Sequence, residues 1–367
     1  MNGDIILVIV IVTALAFDLT NGFHDTANVV ATSISTRAIG PRQAVAVASL
    51  LNFAGAFISL QVATTIGKGF VDTGAVTMTV VFAGLVGAIV WNVITWSYGL
   101  PSSSSHALIG GLVGSVVAAS GWSAVNGGGL VGSLIVPAII APIVAFIAAG
   151  GSILLVYRIV GRLRPGPVSR GFRLGELASG GLLALSHGTN DAQKTMGVIT
   201  LALIAHGDVS ASNFQVPDWV VVSAASAISL GTFTGGWRII KTLGTRIISM
   251  DPAQGFATQG AGAAVILAAS SVGYPLSTTH VISGGIMGAG AAKRFSAVRW
   301  GVAGNIVGAW VLTLPAAAVF GALVYALATL FGNGIGGPIV ITILLLAALG
   351  TTFARRFAQA QPAPSIS

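Results

Sequence analysis

The sequence predicts an all-α, polytopic membrane protein with about 10–12 transmembrane segments, arranged as two inverted-topology repeats with broken helices or re-entrant hairpins. Three observations predict it. Hydrophobic residues make up 54% of the chain and charged residues 7%, where a soluble domain carries about 25% charged. Apolar runs of the roughly 20 residues that cross a bilayer recur from end to end. Two different polar motifs each occur twice, in the same order, inside apolar runs. A β-barrel would alternate polar and apolar residues in segments of about ten, and no such alternation is visible.

Taken in order, the first apolar run extends from Ile5 to Arg37 and contains Asn21-Gly22, where a break is expected. A second runs from Ala44 to Ile66 and a third from Val76 to Leu100. The Pro101–His106 stretch then interrupts before apolar character resumes to Ala119. After the polar Asn126–Gly129, a helix is expected from Leu130 to Tyr157. Arg158, Arg162, Arg164, Arg170 and Arg173 follow, with Pro165 and Pro167 and no acidic residue among them. The second half repeats the order: Glu176–His206, Val216–Ile240, Phe256–Tyr274, an interruption at Pro275–His280, apolar residues to Ala292, and Val302–Phe331. One extra helix, Ile339–Phe353, precedes a Pro/Ser tail, Gln359–Ser367, expected to be disordered. The expected divisions are a first repeat (1–157), a basic linker (158–174), a second repeat (175–335), and an extra helix with tail (336–367).

Charge supplies the orientation. With five crossings in each half and the Arg158–Arg173 connection in the cytoplasm, Arg37/Arg42, Arg238–Arg246, Lys293–Arg299 and Arg355/Arg356 all fall on the cytoplasmic side. Lys68/Asp72 and His206–Asp218 fall opposite. The halves then run in opposite senses, the plan of many secondary transporters. The net charge of +8 is therefore a topology signal in the connections, and no nucleic-acid partner is expected. The chain has no Cys, which removes disulfides, thiolate metal sites and Cys nucleophiles. Asp4 rather than a basic cluster precedes the first apolar run, so no cleavable signal peptide is expected. A multi-pass protein of the cell membrane follows. Its Gly-rich faces permit a homodimer.

The first motif is Asn21-Gly22-Phe23-His24-Asp25-Thr26-Ala27-Asn28, echoed by His187-Gly188-Thr189-Asn190-Asp191-Ala192-Gln193-Lys194. A carboxylate at membrane depth is costly, so Asp25 and Asp191 read as functional. The carboxylate, amide and backbone oxygens of these stretches, including Asn21, suit a hard cation or a proton. The second motif is Pro101-Ser102-Ser103-Ser104-Ser105-His106, which aligns with Pro275-Leu276-Ser277-Thr278-Thr279-His280. Gly110, Gly111 and Gly114 then match Gly284, Gly285 and Gly288. Pro ends the preceding helix and Ser/Thr start the next. A helix N-terminus offers free N–H groups to an anion. Two such ends, with the hydroxyls of Ser103, Ser104, Ser105, Ser277, Thr278 and Thr279, would cage a tetrahedral oxyanion beside a cation site.

Other roles compete for some of these residues. His106 and His280 fit hairpin locks as well as substrate contacts. Lys194 fits either a partner for Asp or a neutraliser of the anion. Asp18 and Glu176 fit ion ligands or cap partners, and Asp72, Asp208, Asp218 and Asp251 lie in connections as solvated groups.

The four motifs together resemble those of the inorganic phosphate transporter (PiT) family of sodium- or proton-coupled phosphate symporters, over Phe17 to Gly290. That family carries a Gly-Ala-Asn-Asp-like motif in inverted halves and Pro-x-Ser-Thr-Thr-His-like hairpins. The resemblance implies phosphate transport, with Asp25, Asn28, Asn190 and Asp191 at the ion and phosphate site and both hairpins around the anion. The first copy departs from the pattern, with Phe23-His24 in place of Ala-Asn. In the second copy Lys194 stands where the first has Asn28. His24 and His187 add titratable groups, so a proton competes with sodium as the coupling ion. No other metal and no cofactor are expected. Without a Gly-x-x-x-x-Gly-Lys-Ser/Thr loop, energy is expected from an ion gradient rather than a nucleotide.

The expected function is inward phosphate symport by alternating access. A sulfate or other oxyanion permease of the same fold is the nearest rival. Asp25 and Asp191 favour phosphate, because a carboxylate can take a proton from hydrogen phosphate but not from sulfate. An intramembrane hydrolase using Ser104 or Ser105 with a His is a remoter rival, disfavoured because every element is doubled. A passive channel and uptake of a neutral metal–phosphate complex complete the alternatives.

Overall fold

A computed structural model describes residues 2–332 and 334–359. The chain is helical throughout, with a lone antiparallel bridge between Val71 and Val125 among the described residues. α1 (Asn2–Ser35), α2 (Pro41–Gly55), α3 (Gln61–Lys68), α4 (Met78–Tyr98), α5 (Ser104–Ser120) and α6 (Gly127–Val160) form the first half. α7 (Pro165–His206), α8 (Asp218–Thr234), α9 (Trp237–Arg246), α10 (Pro252–Ser271), α11 (Thr278–Lys293) and α12 (Trp300–Thr329) repeat that order. α13 (Gly336–Gln359) is left over, and the tail beyond Gln359 lies outside the described residues.

Four helices (α1, α4, α6 and α12) are long and apolar enough to cross a bilayer, and α8 with α9, bent by 60°, makes a fifth among the described residues. The other segments counted among the expected ten to twelve are shorter or carry polar faces that the bundle buries. Ile139, Ile140, Ile143 and Ile147 on α6, and Val311, Leu312, Val319 and Leu323 on α12, are exposed. Apolar side chains in such stripes face lipid, since lipid tails solvate them as well as a core does.

The breaks fall where the hairpins were expected, and the break expected at Asn21-Gly22 is absent. α4 ends at Gly99, whose φ of +67° suits glycine. Pro101–Ser103 is then non-helical, and Ser103 caps α5 by accepting from the His106 N–H at 3.1 Å. Ser277 caps α11 the same way, from His280 N–H at 3.3 Å. By contrast α1 runs unbroken through Asn21-Gly22, and α7 through Gly188. These glycines serve close approach instead. A Cβ on Gly22 would meet the Ile228 carbonyl of α8, and one on Gly188 the Asn52 carbonyl of α2. Each Asp helix thus crosses the second helix of the other half.

Three other boundaries differ from the apolar pattern. The second run splits into α2 and α3. The run through Val216–Ile240 splits at Gly235, whose φ is +73°. The basic stretch 158–174 is mostly helical: α6 continues to Val160 and α7 starts at Pro165, leaving 161–164 between them. Pro is tolerated in a first turn, where its missing N–H would have no partner. Asp251, read as solvated, caps α10 in a capping box with Gln254 and pairs with Lys293 at 3.1 Å.

The hairpin helices pack reciprocally. Gly110 and Gly114 of α5 lie against the carbonyls of Leu314 and Ala318 on α12, while Gly284 and Gly288 of α11 lie against those of Pro142 and Phe146 on α6. These exchanged contacts hold the N-termini of α5 and α11 beside the middles of α1 and α7.

Candidate functional site

Both Asp side chains sit mid-helix and are sealed: Asp25 is 2% exposed and Asp191 0%. Oxygens of Asp25 and Asp191 and a ring nitrogen of His187 all lie within 4.8 Å of one another. The two motifs therefore converge on one cluster.

In the first half, His24 Nδ1 donates to Asp25 Oδ1 at 2.7 Å. His24 Nε2 lies 3.1 Å from Thr95 Oγ1 and 3.2 Å from Ser102 Oγ. Thr278 Oγ1 reaches Asp25 Oδ2 at 3.5 Å. Asn28 Nδ2 donates to Thr278 Oγ1 at 3.1 Å and Thr279 Oγ1 at 2.9 Å, and its Oδ1 has no hydrogen-bond partner. In the second half, Lys194 Nζ donates to Asp191 Oδ1 and Ser105 Oγ, both at 2.5 Å, and to the Leu276 carbonyl at 2.9 Å. Asp191 Oδ2 faces His187 Nε2 at 3.3 Å without a hydrogen bond. His187 Nδ1 donates to Asn52 Oδ1 at 3.2 Å. Lys194 thus pairs with Asp191, one of the two roles open in the sequence.

The hydroxyls flank this cluster. Ser104 and Ser105 open α5, and Thr278 and Thr279 open α11; all are at most 2% exposed. Ser104 Oγ has no partner. Ser103 and Ser277 accept the cap N–H groups, which leaves their O–H donors outside the caps. The arrangement places two helix N-termini, with hydroxyls in their first turns, beside two carboxylates.

Some expected residues lie apart. Asn190 Nδ2 donates to Ser270 Oγ at 2.9 Å, and its Oδ1 has no hydrogen-bond partner. His106 and His280 pack ring to ring at 4.8 Å, and His280 stacks on Trp310 at 4.1 Å, joining the two hairpins to α12. Asn21 has no hydrogen bond to either side-chain atom, and neither does Asp18 to its carboxylate; Asp18 lies beside Asn21 and Thr195. Glu176 accepts from Thr36 Oγ1 at 2.7 Å. Asn52, Thr95 and the Leu276 carbonyl are not singled out by the sequence. Asn52 and Thr95 stand on apolar helices outside any motif, and a carbonyl leaves no side-chain signal.

Neither Ser104 nor Ser105 has a hydrogen bond to a His, so the nucleophile–base pair that the rival hydrolase reading needs is not formed. Ser102, His24 and Asp25 do form a chain, but Ser102 Oγ donates to Thr95 Oγ1 at 2.8 Å rather than to His24.

The sequence profile of the phosphate transporter family (PHO4) matches residues 21–172 and 162–321. A probable low-affinity inorganic phosphate transporter of Mycobacterium tuberculosis (strain ATCC 25618 / H37Rv) is 51% identical over 343 residues, covering 94% of this chain and 82% of that protein. The similarly described protein of Bacillus subtilis (strain 168) is 44% identical over 326 residues, covering 88% and 96%. A solved structure described as the sodium-dependent phosphate transporter superposes with a TM-score of 0.77 at 26% identity, covering 89% of this chain and 99% of that one.

Proposed function

Because this chain belongs to the phosphate transporter family, and is a multi-pass membrane protein and not an enzyme, we propose that it imports inorganic phosphate across the cell membrane by cation symport. One observation carries the reading: the two buried carboxylates meet in the gap between two helix N-termini, one from each half. The first turns of α5 and α11 hold the anion through Ser104, Ser105, Thr278 and Thr279. Asp25, Asp191 Oδ2 and the unpartnered Asn28 Oδ1 offer hard oxygens to the coupling cation. Cation and anion offset each other's charge in a site that excludes water.

The sealed cluster fits the occluded stage of an alternating-access cycle, in which the site opens to one side at a time. The exposed Arg158, Arg162, Arg164, Arg170 and Arg173 mark the cytoplasmic face. Sodium suits the oxygen set. A proton is the second reading, favoured by the 2.7 Å contact of His24 with Asp25.

Substrate choice is tested by uptake of labelled phosphate against excess sulfate. Sulfate is expected not to compete. Thr278→Val is expected to raise half-saturating phosphate about tenfold, the loss of one hydrogen bond to a charged group. Sulfate competing as well as phosphate would overturn the substrate assignment.

A further inference from the structure

Among the positions at which the two Asp motifs differ, one exchanges a neutral amide for a charge. Asn28 and Lys194 occupy the same place, three residues after Asp25 and Asp191. They also meet equivalent neighbours: Asn28 contacts Thr279 of the opposite hairpin, and Lys194 contacts Ser105, the residue matching Thr279 in the other copy. The two sites are the same site built twice, with an amide in one and an ammonium in the other.

An ammonium has three donors and no acceptor. All three are engaged at Lys194, by a carboxylate oxygen, a hydroxyl oxygen and a backbone carbonyl. That is the ligand set of a hard monovalent cation. No N–H is left to point at a phosphate, so the side chain is not an anion clamp in this arrangement. In the first half the matching amide brings no charge, and its oxygen has no partner. Unpartnered oxygens remain in the second half as well, at Asn190 Oδ1 and Asp191 Oδ2, so what sets the halves apart is the charge at this one position. The second half carries its ion on a four-carbon stem.

We propose that the Lys194 ammonium is a tethered cation that permanently fills the second of two equivalent cation sites, so that this protein binds one fewer exchangeable cation with each phosphate than a chain with Asn in both copies. This rests on the cation–phosphate symport reading above. Lys194 is thereby a residue that sets coupling stoichiometry.

The test is phosphate binding to purified, detergent-solubilised protein, measured by calorimetry across a sodium series with choline as replacement at fixed pH. The readout is the slope of log phosphate affinity against log sodium concentration. Lys194→Asn is expected to steepen the slope by about one unit over wild type, because an exchangeable sodium replaces the ammonium. Lys194→Arg keeps a tethered cation and is expected to keep the wild-type slope. The reciprocal Asn28→Lys is expected to flatten it by about one unit. The swap variant, Asn28→Lys with Lys194→Asn, still has one tethered ammonium and is expected to return to the wild-type slope.

Lower affinity in Lys194→Asn at every sodium concentration with an unchanged slope would overturn the proposal and make Lys194 a phosphate ligand. Monodisperse Lys194→Asn that binds no phosphate even at high sodium would overturn it as well. If Lys194→Asn does not yield monodisperse protein, the Asn28→Lys and swap slopes decide. Where wild-type affinity follows pH and not sodium, the same four slopes are read against log proton concentration with the same expected changes. Failure of the underlying reading shows separately, as wild-type protein that binds no phosphate or whose phosphate flux ignores both sodium and proton gradients.

Discussion

Asp191→Asn is expected to abolish phosphate uptake and to lower the melting temperature of the purified protein. Asp191 and Lys194 are 0% and 1% exposed and their charged atoms are 2.5 Å apart. Removing the carboxylate charge leaves an ammonium in a medium that cannot solvate it. Breaking a buried pair by removing one partner costs about 3–5 kcal/mol. Ser105 and the Leu276 carbonyl still accept from Nζ, which places the cost towards the lower end. The double variant Asp191→Asn with Lys194→Asn removes both charges and is expected to recover most of the thermal stability while remaining inactive. Thermal unfolding followed by size-exclusion chromatography reads both. A single variant that melts with wild type would contradict the pairing as described.

Gly288→Leu is expected to reduce the yield of folded protein tenfold or more. A Cβ at Gly288 would overlap the Phe146 carbonyl of α6, and one at Gly114 would overlap the Ala318 carbonyl of α12. Backbone cannot rotate aside as a side-chain tip can, so whole helices must separate. Overpacking a core already costs about 1–3 kcal/mol where side chains can give way, and here they cannot. The same separation would pull the N-terminus of α11, with Thr278 and Thr279, away from α1. Gly304→Ala is the control, because Gly304 meets nothing within 4 Å; its yield is expected to match wild type. Detergent-extracted yield and monodispersity measure the difference.

The parts of this molecule written in composition and repetition were legible before any coordinates. Doubled Asp motifs and doubled Pro-Ser/Thr-His stretches foretold two matching halves, and the caps at Ser103 and Ser277 follow from Pro and hydroxyl placement alone. The break expected at Asn21-Gly22 is absent, because a glycine in a membrane helix can mark either a break or a close crossing. Only the partner helix decides, and the Ile228 and Asn52 carbonyls are far off in sequence. Asn190 enters the site through the family resemblance, and its Nδ2 contact with Ser270 is a long-range one outside any local pattern. The role of Lys194 depended on the Leu276 carbonyl and Ser105, two contacts that no local pattern announces.

The central claim is that phosphate and a coupling cation share the site between Asp25 and Asp191. Its most direct test is labelled phosphate accumulation in proteoliposomes under an imposed sodium or proton gradient, with Asp25→Asn in parallel. Accumulation above the equilibrium level under one of the two gradients, abolished when that gradient is collapsed and absent in Asp25→Asn, is the predicted result. Phosphate that only equilibrates under both gradients, or an Asp25→Asn variant that accumulates it as wild type does, would contradict the account.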